Sequence, residues 1–348
     1  MHRDRCVMNP LCPAIVGSLL LALITACTTV PYDEIGAAGP DTTSTYPHLN
    51  GATWNDPTIP DPEAANTVLL AGTAYDDAAF EDEAYDATPT ERYLVTYEVR
   101  GDDIVNPASE KRLPSHLIAM QENTEAHHRT WEYFLSLIPA EHRHAVSHFA
   151  VMTDGAQNTL AAVSQTEQDP EHWMVEVDLE DTDDVPCLTY TLIHEFGHLL
   201  TLGPDQVKPN RAIFENPDDW ELYADAEDSC TGYFTGEGCA ERGTYMEAFY
   251  TRFWPELFPE WEQINEIRSQ GRRDNALLDF HNDHPGEFVT EYAATDPQED
   301  IAESFAFFVL APYPTGKTTA EQKVAFFYDY PELMALRASI LAAIADAI

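Results

Sequence analysis

The stretch from Asp184 to Pro204, DVPCLTYTLIHEFGHLLTLGP, constrains this 348-residue chain more than any other. Asp183 or Asp184 suits a helix N-cap, Pro186 suits the first turn, and Gly203-Pro204 is a stop signal. The segment therefore predicts a helix of about 17 residues. Leu188, Leu192, Ile193, Phe196, Leu199 and Leu200 surround most of its circumference, so the helix is expected to be buried. Two histidines and a glutamate in such a helix need partners, because uncompensated polar groups are costly in an apolar interior. His194 and His198 are four residues apart and project from one face, where both imidazoles can bind one metal ion. Glu195 sits beside them, placed to reach a water rather than the ion.

Two histidines leave a catalytic zinc site short of a third protein ligand. In the extended H-E-x-x-H-x-x-G-x-x-H pattern that ligand follows on the same segment. Here Thr201 and Pro204 occupy those positions, so it must come from elsewhere. The best source is Asp296-Pro297-Gln-Glu299-Asp300-Ile-Ala-Glu303-Ser-Phe305. Asp296 as N-cap and Pro297 behind it start a helix that places Glu299 and Glu303 on one face. Glu299 also fits a capping box, three residues after the cap. Glu303 lies in the apolar run IAESFAFFVL, where a carboxylate needs a donor. A metal-bound histidine offering its other ring N–H would supply one. Glu299 is thus read as the third ligand and Glu303 as the acceptor behind a histidine, with the reverse assignment as the rival. His281 and His284 also have metal-like spacing, but in a Pro/Gly/Asp-rich stretch that reads as surface loop.

HEFGH followed by Tyr292-x-x-Thr295-x-x-x-Glu299-x-x-Ala302-Glu303-x-Phe305 resembles the gluzincin metallopeptidases. It is most similar to the catalytic domain of anthrax lethal factor and to related zinc-binding metallopeptidase lipoproteins of bacteria. The resemblance covers two short segments, with 100 residues between His198 and Glu299. It implies a zincin-like fold and a Zn2+ cofactor held by His194, His198 and Glu299. It further implies peptide-bond hydrolysis by a zinc-activated water, with Glu195 as general base and Tyr292 as oxyanion stabiliser. Thermolysin-like enzymes take the oxyanion donor from a His beyond the third ligand. None follows His284 here, which favours the phenol. The alternative class is a catalytically silent zinc-binding surface lipoprotein that acts as a binding module.

The two ends of the chain differ in kind. Arg3 and Arg5 precede an uncharged apolar run over residues 14–24, too short to span a bilayer, and the run ends Ile24-Thr25-Ala26-Cys27. This looks like a lipobox: residues 1–26 read as a lipoprotein signal peptide and Cys27 as the lipidated N-terminus. The protein is accordingly expected outside the cytoplasm, anchored to the cell membrane or envelope. Residues 27–90 read as a flexible acidic tether; residues 28–90 hold twelve acidic side chains and no Lys or Arg. Residues 91–348 form the expected metallopeptidase domain. Export permits disulfides, and Cys230 and Cys239 flank a glycine-containing loop, so they are expected to pair. Cys187 is then the odd thiol.

Within that domain, 93–99, 148–153, 159–164 and 173–179 read as strands. Helices are expected at 115–137, 186–202, 244–254, 257–270, 297–310 and 331–347. Strands first and helices later predict an α+β fold: a small mixed or antiparallel sheet, the metal helix, then a mainly helical half. Strand 172–179 is expected to form the edge of the cleft, its Glu176 and Asp178 favouring basic peptides. A formal net charge of −43, from 61 acidic and 18 basic residues, excludes a nucleic-acid backbone reader and docking on anionic lipid by surface charge. The expected partners are a protein or peptide substrate and, through the lipid, a membrane; the chain is expected to be a monomer.

Overall fold

The computed structural model describes residues 92–155 and 159–347. The expected signal peptide, the expected lipidation site Cys27 and the expected tether lie outside the described residues. Five strands form the larger sheet: β1 (Arg92–Arg100), β2 (Asp103–Ser109), β3 (Val146–Thr153), β4 (Ala161–Thr166) and β5 (Asp169–Asp178), in the order β2-β1-β3-β5-β4. β1 and β2 form a hairpin whose turn uses Gly101 at φ +64, a conformation that suits glycine. β3 and β5 are parallel, and the other pairs are antiparallel. The sheet is therefore mixed and the fold α+β, as the order of elements predicts.

One expected helix is in fact two. The 115–137 segment divides into α1 (Ser115–Gln121) and α2 (Thr124–Leu137). Asn123 restarts the chain as an N-cap, its side chain accepting from the amide of Ala126. Gln121 turns aside to donate to the carbonyls of Leu94 and Glu110. Trp131 of α2 packs on Phe149 of β3, ring centroids 5.3 Å apart.

The metal-motif helix, α3 (Val185–Leu202), begins at Asp184, which accepts from the amide of Cys187. A small sheet of β6 (Val207–Pro209), β7 (Tyr233–Phe234) and β8 (Gly238–Ala240), in the order β6-β8-β7, follows together with α4 (Arg211–Glu215) and α5 (Trp220–Ser229). The Cys230–Cys239 disulfide joins the end of α5 to β8, with a Cα–Cα distance of 5.5 Å. Cys187, expected as an odd thiol, is disulfide-bonded too. The second half continues as α6 (Tyr245–Phe253), α7 (Phe258–Asn265), α8 (Gln270–Asp283), α9 (Pro297–Leu310), α10 (Thr319–Phe326) and α11 (Pro331–Ala347).

One contiguous apolar cluster runs from Leu94 in β1 to Ile344 in α11. α9 is held inside it from two directions. Asp300 meets the fully buried Lys323 of α10 at 2.6 Å and accepts from the indole of Trp254 at 2.8 Å. Arg337 of α11 donates to the carbonyls of Phe308 and Ala311, which α9's last turn leaves without helical partners. No helix among the described residues is long and apolar enough to cross a membrane.

Candidate metal centre

α3 is buried along nearly its whole length, and His194 through Leu199 are all shielded from solvent. α9 lies against it because Gly197 permits close approach. A Cβ built on Gly197 would stand 3.1 Å from the Cα of Ala302. Ala302 lies between Glu299 and Glu303, so this contact sets both carboxylates opposite the two histidines.

The result is a triangle. His194 Nε2 is 3.2 Å from Glu299 Oε2, His198 Nε2 is 3.2 Å from the same oxygen, and the two nitrogens are 3.1 Å apart. Glu303 stands behind it. Its Oε1 accepts from His194 Nδ1 and from the Tyr190 hydroxyl, both at 2.8 Å, and its Oε2 accepts from Thr290 at 2.6 Å. With its proton on Nδ1, His194 points an Nε2 lone pair into the triangle. The division of labour between the two glutamates follows: Glu299 faces both histidine Nε2 atoms, whereas Glu303 serves three donors behind them. Asp296 caps α9 by accepting from the Gln298 amide. Glu299, the capping-box candidate, faces the histidines instead.

His194, His198 and Glu299, all buried, could hold a metal ion. The distances fit one. Ligands about 2.0 Å from a tetrahedral ion stand about 3.3 Å apart. The electrostatics point the same way. Burial would depress the His194 pKa, but hydrogen bonds with Glu299 and Glu303 hold it well above its usual range. Burial would likewise raise Glu299, yet the two histidines bring it well below the usual carboxylate range. His194 favours its charged form because carboxylates face it, and Glu299 because two histidines face it. The three together call for one positive charge between them, a proton or a metal ion.

Glu195, 4% exposed, is pushed up to about 7 by burial, partly offset by His194 and His198. Tyr292 begins a single 3₁₀ turn (Tyr292–Ala294) just before α9, its ring centroid 5.8 Å from that of His194. Its hydroxyl is buried and makes no hydrogen bond among the described residues. Burial, with Glu299, Glu195 and Glu303 nearby, holds its pKa well above the usual phenol range. The structure thus brings together His194, Glu195, His198, Tyr292, Glu299 and Glu303.

Other expectations need correction. β5 is not a sheet edge: it lies between β3 and β4, and β4 is the outer strand, packed against α3. Glu176 and Asp178 do not line a cleft, because both are fully buried. Glu176 accepts from Ser164 of β4 and Tyr93 of β1. His281 and His284 are at the end of α8 rather than in a loop, where His284 Nε2 meets Glu260 at 3.0 Å. Two residues escaped the sequence reading, Tyr190 and Thr290. Tyr190 is four residues before His194, so helical spacing could have singled it out. Thr290 carries no comparable signal. No protein-family model matches the chain, and neither a curated protein nor a solved structure matches it.

Proposed function

We propose that this protein is a zinc-dependent endopeptidase of zincin-like fold, with Zn2+ held by His194, His198 and Glu299. The observation that carries this reading is the convergence of two Nε2 atoms and one carboxylate oxygen at 3.1–3.2 Å, beside a buried Glu195. Two imidazoles and one carboxylate, with an acceptor behind one ring, are a donor set suited to zinc with a position left open. When bound, zinc would supply a Lewis acid at the triangle.

The remaining steps belong to this chain's own residues. Glu195, held at about 7, takes a proton from the attacking water near neutral pH and passes it to the departing amine. Tyr292, kept protonated by burial and the surrounding carboxylates, donates a hydrogen bond to the substrate oxygen as negative charge develops there. The outer strand β4 offers main-chain groups to an extended peptide beside α3. The lipobox-like Ile24-Thr25-Ala26-Cys27 supports an exported protein anchored through lipid on Cys27, and the Cys230–Cys239 disulfide suits an oxidising compartment.

The test is cleavage of a proteome-derived peptide library by zinc-loaded protein. Wild type should cleave. Glu195→Gln should retain zinc and lose roughly 10²–10⁴-fold in rate, and Tyr292→Phe roughly 10²–10³-fold. Zinc retained by a wild type that cleaves nothing would contradict the enzyme and favour a silent zinc-binding lipoprotein.

A further inference from the structure

A second group of acidic side chains lies apart from the histidines. β3 and β5 are parallel neighbours, with Met152 opposite Asp178 in register, so their C-terminal ends sit side by side. Asp154 follows the end of β3, Asp178 ends β5, and Asp181 lies in the connection to α3. One oxygen from each of the three lies within 4.8 Å of the others. Asp154 is 2% exposed and Asp178 fully buried.

These carboxylates are oriented by the backbone. Asp178 accepts from the amides of Asp154 and Glu180, each at 2.8 Å. Asp154 Oδ2 accepts from the amide of Thr159 at 2.9 Å. Asp154 Oδ1 is buried and makes no hydrogen bond among the described residues. A buried carboxylate oxygen without a donor is costly, and the neighbouring charges raise that cost. Burial pushes Asp178 up to about 6, helped by Asp181 and Asp154. Asp181 is also raised, by burial and then by Asp154 and Glu180. A cation is the partner this arrangement calls for.

We propose that Asp154, Asp178 and Asp181 bind a calcium ion at the C-terminal ends of β3 and β5. Every ligand atom is a hard carboxylate oxygen, with no nitrogen or sulfur among them, which selects calcium or magnesium over zinc. Oxygens about 2.4 Å from calcium stand up to about 4.8 Å apart across the ion. Calcium accepts the uneven shell that two strand ends and a loop provide, whereas magnesium demands a near-regular octahedron. The connection from Asp178 through Asp181 runs directly into Asp184, the N-cap of α3. Calcium would therefore tie the sheet to the start of the helix that carries His194 and His198.

The test is calorimetric titration of the full-length, zinc-loaded protein with CaCl2 in metal-depleted buffer, up to about 10 mM, the weak end of extracellular calcium modules. Thermal unfolding is followed alongside. The expected result is one saturable calcium per chain and a Tm that rises with calcium. Binding should be at least about tenfold weaker in Asp181→Asn, a partly exposed position, and weakened in Asp154→Asn. The proposal is overturned by no saturable binding, by wild-type affinity in a folded Asp181→Asn, or by MgCl2 binding as tightly.

Discussion

Two imidazole lone pairs and a carboxylate oxygen 3.1–3.2 Å apart repel one another unless a positive charge lies between them. Glu303 decides which charge suits the site. By accepting the Nδ1 proton of His194, it would leave Nε2 free to act as a ligand and raise the basicity of the ring. Tyr190 and Thr290 then hold Glu303 in place. Glu303→Ala should weaken zinc affinity about 10–100-fold while leaving the far-ultraviolet circular dichroism unchanged. A competitive chelator titration measures this, and unchanged affinity would remove Glu303 from the site. At this scale the sequence was informative where the chemistry is local. His194, Glu195 and His198 share one helical turn, and Glu299 follows a cap-and-proline start three residues earlier. Asp154, Asp178 and Asp181 carry no such signal, since only the parallel pairing of β3 and β5 brings the first two together.

At the scale of elements, the centre depends on how closely α9 approaches α3. Gly197→Ala would push a methyl against Ala302, whose Cα lies 3.1 Å from the new atom. Neither helix can yield, because Lys323, Trp254 and Arg337 hold α9 and α3 is buried on nearly all sides. The expected cost is about 1–3 kcal/mol in urea unfolding, with weaker zinc binding because Glu299 retreats from the histidines. Stability and affinity both at wild-type values would show that the contact does not set the site. Helices with strong punctuation were legible: 297–310 and 331–347 match the expected limits. α8 was missed, since its 14 residues bury only Leu277 and Phe280 and show little apolar period. β5 was misread for a different reason. Trp173, Val175, Val177 and Leu179 alternate with Met174, Glu176 and Asp178, the local pattern of a strand with one wet face. Glu176 is instead paired by side chains from β1 and β4, which no local pattern reveals.

Across the whole molecule, residues 92–347 carry 47 acidic against 16 basic side chains, and several of those acids are buried. Glu237, a half-buried residue in the turn between β7 and β8, is pushed from 4.5 up to about 7 by desolvation of its carboxyl. Because the folded-state value is raised, its contribution to stability is fully present below about pH 4.5 and lost as pH rises through about 7. Wild type should therefore lose up to about 3 kcal/mol relative to Glu237→Gln between pH 5 and pH 8, read from urea unfolding at both values. A constant difference would mean the carboxyl is not held neutral.

The proposed centre requires two imidazoles and one carboxylate to share one ion. X-ray absorption at the zinc K edge of the zinc-loaded protein measures this directly. The predicted spectrum has a nitrogen/oxygen shell at about 2.0–2.1 Å, outer scattering from two imidazole rings and no sulfur, falling to one ring in His198→Ala. A sulfur shell at about 2.3 Å, two rings persisting in His198→Ala, or no zinc surviving dialysis would contradict it.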